Sequence, residues 1–309
     1  MRHVRMLGLC LVAVLAVCAY AVSSASALPE FGKCEAKAGG KYKDANCTEK
    51  AKKGEGAYEW KKGSTLKNVK FSGHNVGSGG VLVSGIRSCV LESGAHQSTR
   101  KKCKELGGEE VETSPSEAQR IECTSENNHG EISGKKSLKN IDVEFNGCAL
   151  FGTAPCSNGP NSGQITVNPL VGEIGYINKS EKNVGVKLTP TAKHGEFAKF
   201  DCAGILEIIV GVGNSKQGAY YEPESKGGND GIISPITPVN TMSTKYTQVY
   251  TVNPETESNV PSSFQGKPID LLETYLYNPE EPETQTDWAP AGEEITNTNT
   301  SEEAGEIKA

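Results

Sequence analysis

Apolar residues recur along this chain at alternate positions, in short runs, and seldom at every third or fourth one. Ile141, Val143 and Phe145 are separated by Asp142 and Glu144. Residues 245–252 set Tyr246, Gln248 and Tyr250 on one face and Thr247, Val249 and Thr251 on the other. A period of two sends successive side chains to opposite faces of an extended backbone, so both runs predict half-buried β-strands. Further strands are predicted at 58–60, 66–71, 81–83, 120–123, 130–132 and 164–167. Residues 172–188 read as a hairpin turning over Asn178 to Asn183, because Asn, Ser and Lys there supply turn chemistry between two Val- and Ile-containing runs. Ile205 to Val210, inside 197–212, predicts the most buried strand. No long amphipathic helix stands out, and only residues 269–277 admit a helical turn or two. The stretch 92–118 is polar, with scattered Gly and Pro, and reads as a long loop. Gly-Glu-Ile occurs at 130–132 and again at 172–174, which reads as two similar hairpins and not as a duplicated unit. The fold class that follows is all-β: an antiparallel sandwich or barrel-like domain with a small disulfide-stapled N-terminal unit.

The beginning of the chain has a different pattern. Arg2, His3 and Arg5 precede an almost wholly apolar run over 6–22, and Ala25-Ser26-Ala27 offers the small side chains a signal peptidase accepts. Residues 1–27 are therefore predicted to be a signal peptide. A lipidated Cys18 is disfavoured by the bulk of Val17 before it. Leu28-Pro29-Glu30-Phe31-Gly32 resembles a sortase signal, but Phe31 stands where Thr belongs and the segment is at the wrong end of the chain. Three further segments are predicted: a compact Gly- and Lys-rich unit at 28–63, a main β domain at 64–277, and an acidic Thr-rich tail at 278–309. The tail is disordered by composition. Its residues include nine acids and one Lys, so the rest of the mature chain is close to neutral and favours no nucleic acid. No later stretch is long and apolar enough for a membrane-spanning helix. The destination predicted is secreted or extracellular, with cell-surface or glycan contact as the partner class.

Cysteine usage agrees with export. Cys10 and Cys18 belong to the leader, leaving Cys34, Cys47, Cys89, Cys103, Cys123, Cys148, Cys156 and Cys202. An even number behind an export signal reads as a disulfide framework, and no CxxC pair or suitably spaced His suggests zinc. Eight cysteines allow 105 connectivities. Nearest neighbours around Gly- or Pro-containing turns give Cys34 with Cys47 and Cys148 with Cys156. Elimination then gives Cys89 with Cys103 and Cys123 with Cys202.

Candidate chemistry is sparse. There is no GxSxG elbow, HExxH helix, phosphate loop or complete dinucleotide fingerprint. His74, His96, His129 and His194 sit in polar surroundings and read as surface, and Asn229-Asp230-Gly231 reads as a turn. No catalytic, metal-binding or cofactor-binding residue is assigned, and no cofactor is expected. A glycosidase needs only two carboxylates, which leave no motif. Tyr246 and Tyr250 share a strand face that would suit sugar stacking, although core packing explains them better. Asn46-Cys47-Thr48, Asn178-Lys179-Ser180 and Asn299-Thr300-Ser301 match the N-glycosylation pattern.

Across residues 28–242 the segments LPEFGKC, GKYKDANCT, GAYEW, VEFNGC, ITVNPLVGEIGYI, VGVKL, FAKFDC and TPVNTM resemble a family of uncharacterised exported proteins present as many paralogues in high-GC soil bacteria. The resemblance implies a β-rich, cysteine-containing exported protein and brings no activity or ligand with it. It also implies that the Thr- and Glu-rich stretch 295–308 is a last strand, against the compositional reading of disorder. The expected function is that of a non-enzymatic exported binding or structural module, with a secreted glycan-active hydrolase or lectin-like carbohydrate binder as the alternative.

Overall fold

The computed structural model describes residues 29–63, 66–84, 87–90, 96–97, 109–112, 119–192, 195–204, 206–212, 231–269, 272–277 and 289–309. The predicted signal peptide, residues 1–27, lies outside them. In chain order the first strands are β1 (Glu30–Gly40), β2 (Gly56–Lys62), β3 (Val69–Asn75), β4 (Val81–Ser84), β5 (Arg87–Val90), β6 (His96–Gln97), β7 (Glu109–Glu112) and β8 (Gln119–Glu122). Next come β9 (Ser125–Ile132), β10 (Ser137–Asn146), β11 (Ala149–Leu150), β12 (Ala154–Ser157), β13 (Ile165–Thr166), β14 (Leu170–Asn178), β15 (Asn183–Pro190) and β16 (Glu196–Cys202). The last are β17 (Leu206–Val212), β18 (Ile232–Thr237), β19 (Ser243–Asn253), β20 (Ser258–Val260), β21 (Ser263–Phe264), β22 (Lys267–Pro268), β23 (Leu272–Tyr277) and β24 (Ala289–Lys308). The fold is all-β and antiparallel, and no helix among the described residues is long and apolar enough to cross a membrane.

The pairings close into an eight-stranded barrel in the order β3-β9-β10-β14-β15-β18-β19-β24 and back to β3. A second ring runs β24-β4-β8-β11-β12-β16-β17-β23 and returns to β24. The two rings share β24: its residues 295–305 wall the first, and 289–294 wall the second. The chain also passes from one ring to the other elsewhere, as from β3 to β4, β8 to β9, β10 to β11, β12 by way of β13 to β14, and β15 to β16. Closure removes the open sheet edges that invite aggregation.

Side-chain alternation explains the strands and their registers. Ile141, Val143 and Phe145 face inward as predicted, and the hairpin expected at 172–188 is β14 and β15. The two Gly-Glu-Ile segments flank one strand from either side, since Ile132 and Gly172 both pair with Leu138 of β10. The helical turn expected at 269–277 is corrected: β23 is extended and pairs with β17 along 272–277, where Leu272, Thr274 and Leu276 are buried. The tail also resolves in favour of a strand over 289–308, while 278–288 lie outside the described residues. Most of the predicted loop at 92–118 lies outside them too.

The N-terminal unit docks on the far end of β24. Glu30 pairs with Lys308 and Phe31 with Ile307, and the Lys308 ammonium stands 4.6 Å from the centre of the Trp60 ring. Phe31 and Ile307 are buried in the same core as both rings.

Three disulfides join described cysteines. Cys34–Cys47 staples the N-terminal unit as expected. The other two are Cys123–Cys148 and Cys156–Cys202, so the predicted pairs Cys148–Cys156 and Cys123–Cys202 are corrected. The reason is register. The short turn does bring residues 148 and 156 together, and the Cys156 N–H donates to the Cys148 carbonyl at 2.9 Å. Their side chains, however, meet different partners: Cys156 is directly opposite Cys202 on β12 and β16. Cys123 and Cys148 continue the register in which Glu122 meets Ala149. Cys103 of the predicted Cys89–Cys103 pair lies outside the described residues.

Candidate functional site

The polar strands enclose something the sequence does not advertise. A cavity of about 120 Å³ lies inside the barrel and reaches toward the second ring. One wall is apolar, built by Leu138, Ile141, Val143 and Phe145 of β10 with Leu170 and Leu188 of β14 and β15. The opposite wall is polar: Glu126 and Asn128 on β9, Gln248 and Tyr250 on β19, and Glu293, Asn297 and Asn299 on β24. Among the described residues no Lys, Arg or His lines it.

The positions of these groups follow from strand periodicity. On β24 the residues Ile295, Asn297, Asn299 and Ser301 point inward, with Thr296, Thr298 and Thr300 on the other face. On β9, Glu126, Asn128, Gly130 and Ile132 do the same. Gly73 of β3 lies between the two rows, opposite Asn128 on one side and Asn299 on the other. A methyl group at Gly73 would run into both amide side chains, so its missing side chain is what gives the two Asn residues their space.

Hydrogen bonds tie this wall together. Asn128 Nδ2 donates to Glu126 Oε1 at 2.9 Å, and Asn297, with its amide nitrogen turned toward the acceptors, donates to Glu126 Oε2 at 3.2 Å. Asn299 Nδ2 donates to Gln248 Oε1 at 2.8 Å, and Gln248 Nε2 donates to the Ser234 hydroxyl at 2.8 Å. Among the described residues no group donates to Asn128 Oδ1 or Asn299 Oδ1, and both atoms are buried. Burial pushes the Glu126 carboxyl up to about 7, opposed by the bond from Asn128. Glu293 is pushed up to about 8, first by burial and then by the nearby charge of Glu126. Burial likewise raises the Tyr250 hydroxyl, with Glu293 adding to the effect. The two acids thus border one hollow, with no cationic side chain among its described lining residues.

Residues singled out in the sequence fare differently. Tyr246 and Tyr250 are buried, 8% and 5% exposed, so no sugar-stacking platform exists on that face. The Tyr246 hydroxyl donates to the Gly305 carbonyl at 2.6 Å, and Tyr250 lines the cavity. His74 and His129 are exposed, His129 beside Asp142 at 3.1 Å, and both stand on outward faces of strands, away from the cavity. His194 and Asp230 lie outside the described residues. Asn299 of the third glycosylation pattern is buried and closed to a glycan in the folded chain. Glu126, Asn128, Glu293, Asn297 and Asn299 were missed by sequence reasoning. The available signal was the alternation of Asn with Thr over 296–300, a strand period carried by polar residues. No known protein family, curated protein or solved structure matches this chain.

Proposed function

We propose that this is an exported, non-enzymatic binding module that holds a small, largely apolar molecule inside its barrel. The observation that carries the reading is the hollow itself: apolar walls with a few convergent polar groups are the usual build of a ligand site. Export is supported by the apolar leader and by disulfides, which persist in oxidising compartments. The quoted motif set supports placing the chain with the exported, many-paralogue proteins it resembles.

The test is a titration of the disulfide-bonded protein with small apolar probes, benzene, indole and xenon, followed by NMR. Shifts clustered on Val143, Phe145 and Leu170, and abolished by the filling substitution Val143→Trp, are the expected result. Absence of any shift with all three probes overturns the reading.

A second reading, a glycan-active hydrolase, draws on the carboxyl pair Glu126 and Glu293. A hollow near the roughly 150 Å³ that admits benzene leaves no room for two linked sugar rings. Turnover in a screen of polysaccharide, peptide and ester substrates, abolished by Glu126→Gln or Glu293→Gln, would favour that reading over the binding module.

A further inference from the structure

We infer that the barrel interior selects a small primary ammonium compound with an apolar body, of roughly six to eight non-hydrogen atoms by comparison with cavities that hold benzene. The inference rests on the binding-module reading and goes on to name the chemistry of the ligand.

The argument starts from the balance of donors and acceptors. Each amide nitrogen on the polar wall is already engaged with another member of the group: Asn128 and Asn297 with Glu126, Asn299 with Gln248, and Gln248 with Ser234. What remains unanswered is the Glu293 carboxyl, which borders the cavity and accepts no hydrogen bond from a described residue. Two carboxyls, Glu126 and Glu293, border the same space, with no Lys, Arg or His among the described lining residues.

An occupant of this wall must bring donors and positive charge. A primary ammonium carries three donors and no acceptor. It can answer the Glu293 carboxylate with charge and donors together. An alcohol brings one donor and no charge. A carboxylic acid meets two acids and no partner. The other half of the cavity, with Val143, Phe145, Leu170 and Leu188, accepts only a hydrocarbon body. Charge at one side and hydrocarbon at the other define an alkyl- or arylalkylammonium ion.

The test compares isosteres on the same protein at about pH 8, where the amines are cationic and carboxyls of raised pKa ionise. Hexylamine and benzylamine are titrated against hexanol, benzyl alcohol and hexanoate. The expected result is at least tenfold tighter binding of each amine than of its alcohol, with hexanoate weakest. Glu293→Gln and Glu126→Gln should each shrink the amine-to-alcohol ratio about tenfold or more while hexanol still binds. Alcohols binding as tightly as amines would overturn the inference and leave the binding-module reading standing. Amine binding that survives Val143→Trp would place it elsewhere and overturn the inference as well. Should no probe bind at all, xenon included, both readings fall together.

Discussion

Glu126 is 1% exposed, and its carboxyl is held near 7. An unfolded chain returns it to the ordinary range near 4.5. Between those values the native chain carries a proton that the unfolded chain has released, so raising the pH favours unfolding. Glu293, held near 8, extends the same decline upward. Asp44 works in the opposite direction. Backbone N–H groups, that of Glu49 foremost, hold it down to about 2, so its contribution is lost as the pH falls below about 4. Urea unfolding of the ligand-free protein is therefore expected to show maximal stability near pH 4–5 and a decline toward pH 8. Glu126→Gln should flatten that decline and raise stability at pH 8 by an amount on the order of 3 kcal/mol, with no gain below pH 4.5. A decline that is unchanged in the variant would contradict the burial of this acid. A second residue-scale effect belongs to Gly79, whose missing side chain lets its backbone cross that of Cys123. Because the Cys123 N–H donates to the Gly80 carbonyl at 2.9 Å, neither segment can easily withdraw. Gly79→Ala is expected to lower stability by roughly 1–3 kcal/mol in denaturant titration.

Individual elements were legible where the alternation was apolar and illegible where it was polar. β10, β14, β15 and β19 announce themselves because Ile, Val, Leu or Tyr recur with period two on a face that is buried. β24 carries the same period, but from Asn297 to Ser301 its buried face is Asn, Asn and Ser. Composition reads such a run as solvated, and only its pairing with β19 and β3 shows otherwise. The candidate site was hidden for the same reason: its polar groups occupy the positions where sequence reasoning expects hydrocarbon. Disulfide pairing was legible for Cys34 and Cys47, which one hairpin unit brings together. It was illegible for Cys148 and Cys156, whose backbones meet while each buried sulfur is joined to a partner elsewhere in the sheet. Those two crosslinks flank the thinnest arc of the second ring, where β11 and β12 are paired through only two positions each way. In the chain-entropy picture, loops of 25 and 46 residues contribute about 3–4 kcal/mol each. Replacing Cys156 and Cys202 by Ala is expected to lower the melting temperature by roughly 6–16 °C, since about 1 kcal/mol moves Tm by 2–4 °C in a chain of this size. A shift below 3 °C would show that the arc holds without its staple.

At the scale of the whole molecule, both rings depend on a single strand. Removing residues 289–309 takes one wall from the first barrel, one from the second, and the partner on which β1 docks. Such a truncation is expected to abolish the cooperative unfolding transition and the near-ultraviolet signal together, and a truncated chain that still melts cooperatively would contradict the shared wall. The remaining consequence concerns time. The seams that seal the structure join Phe71 to Ser301, Val81 to Glu294 and Glu30 to Lys308, partners more than two hundred positions apart. Contacts of such separation are the slowest to form. Until residues 289–308 take their place, both sheets stay unclosed, and one late pairing event shuts the two together.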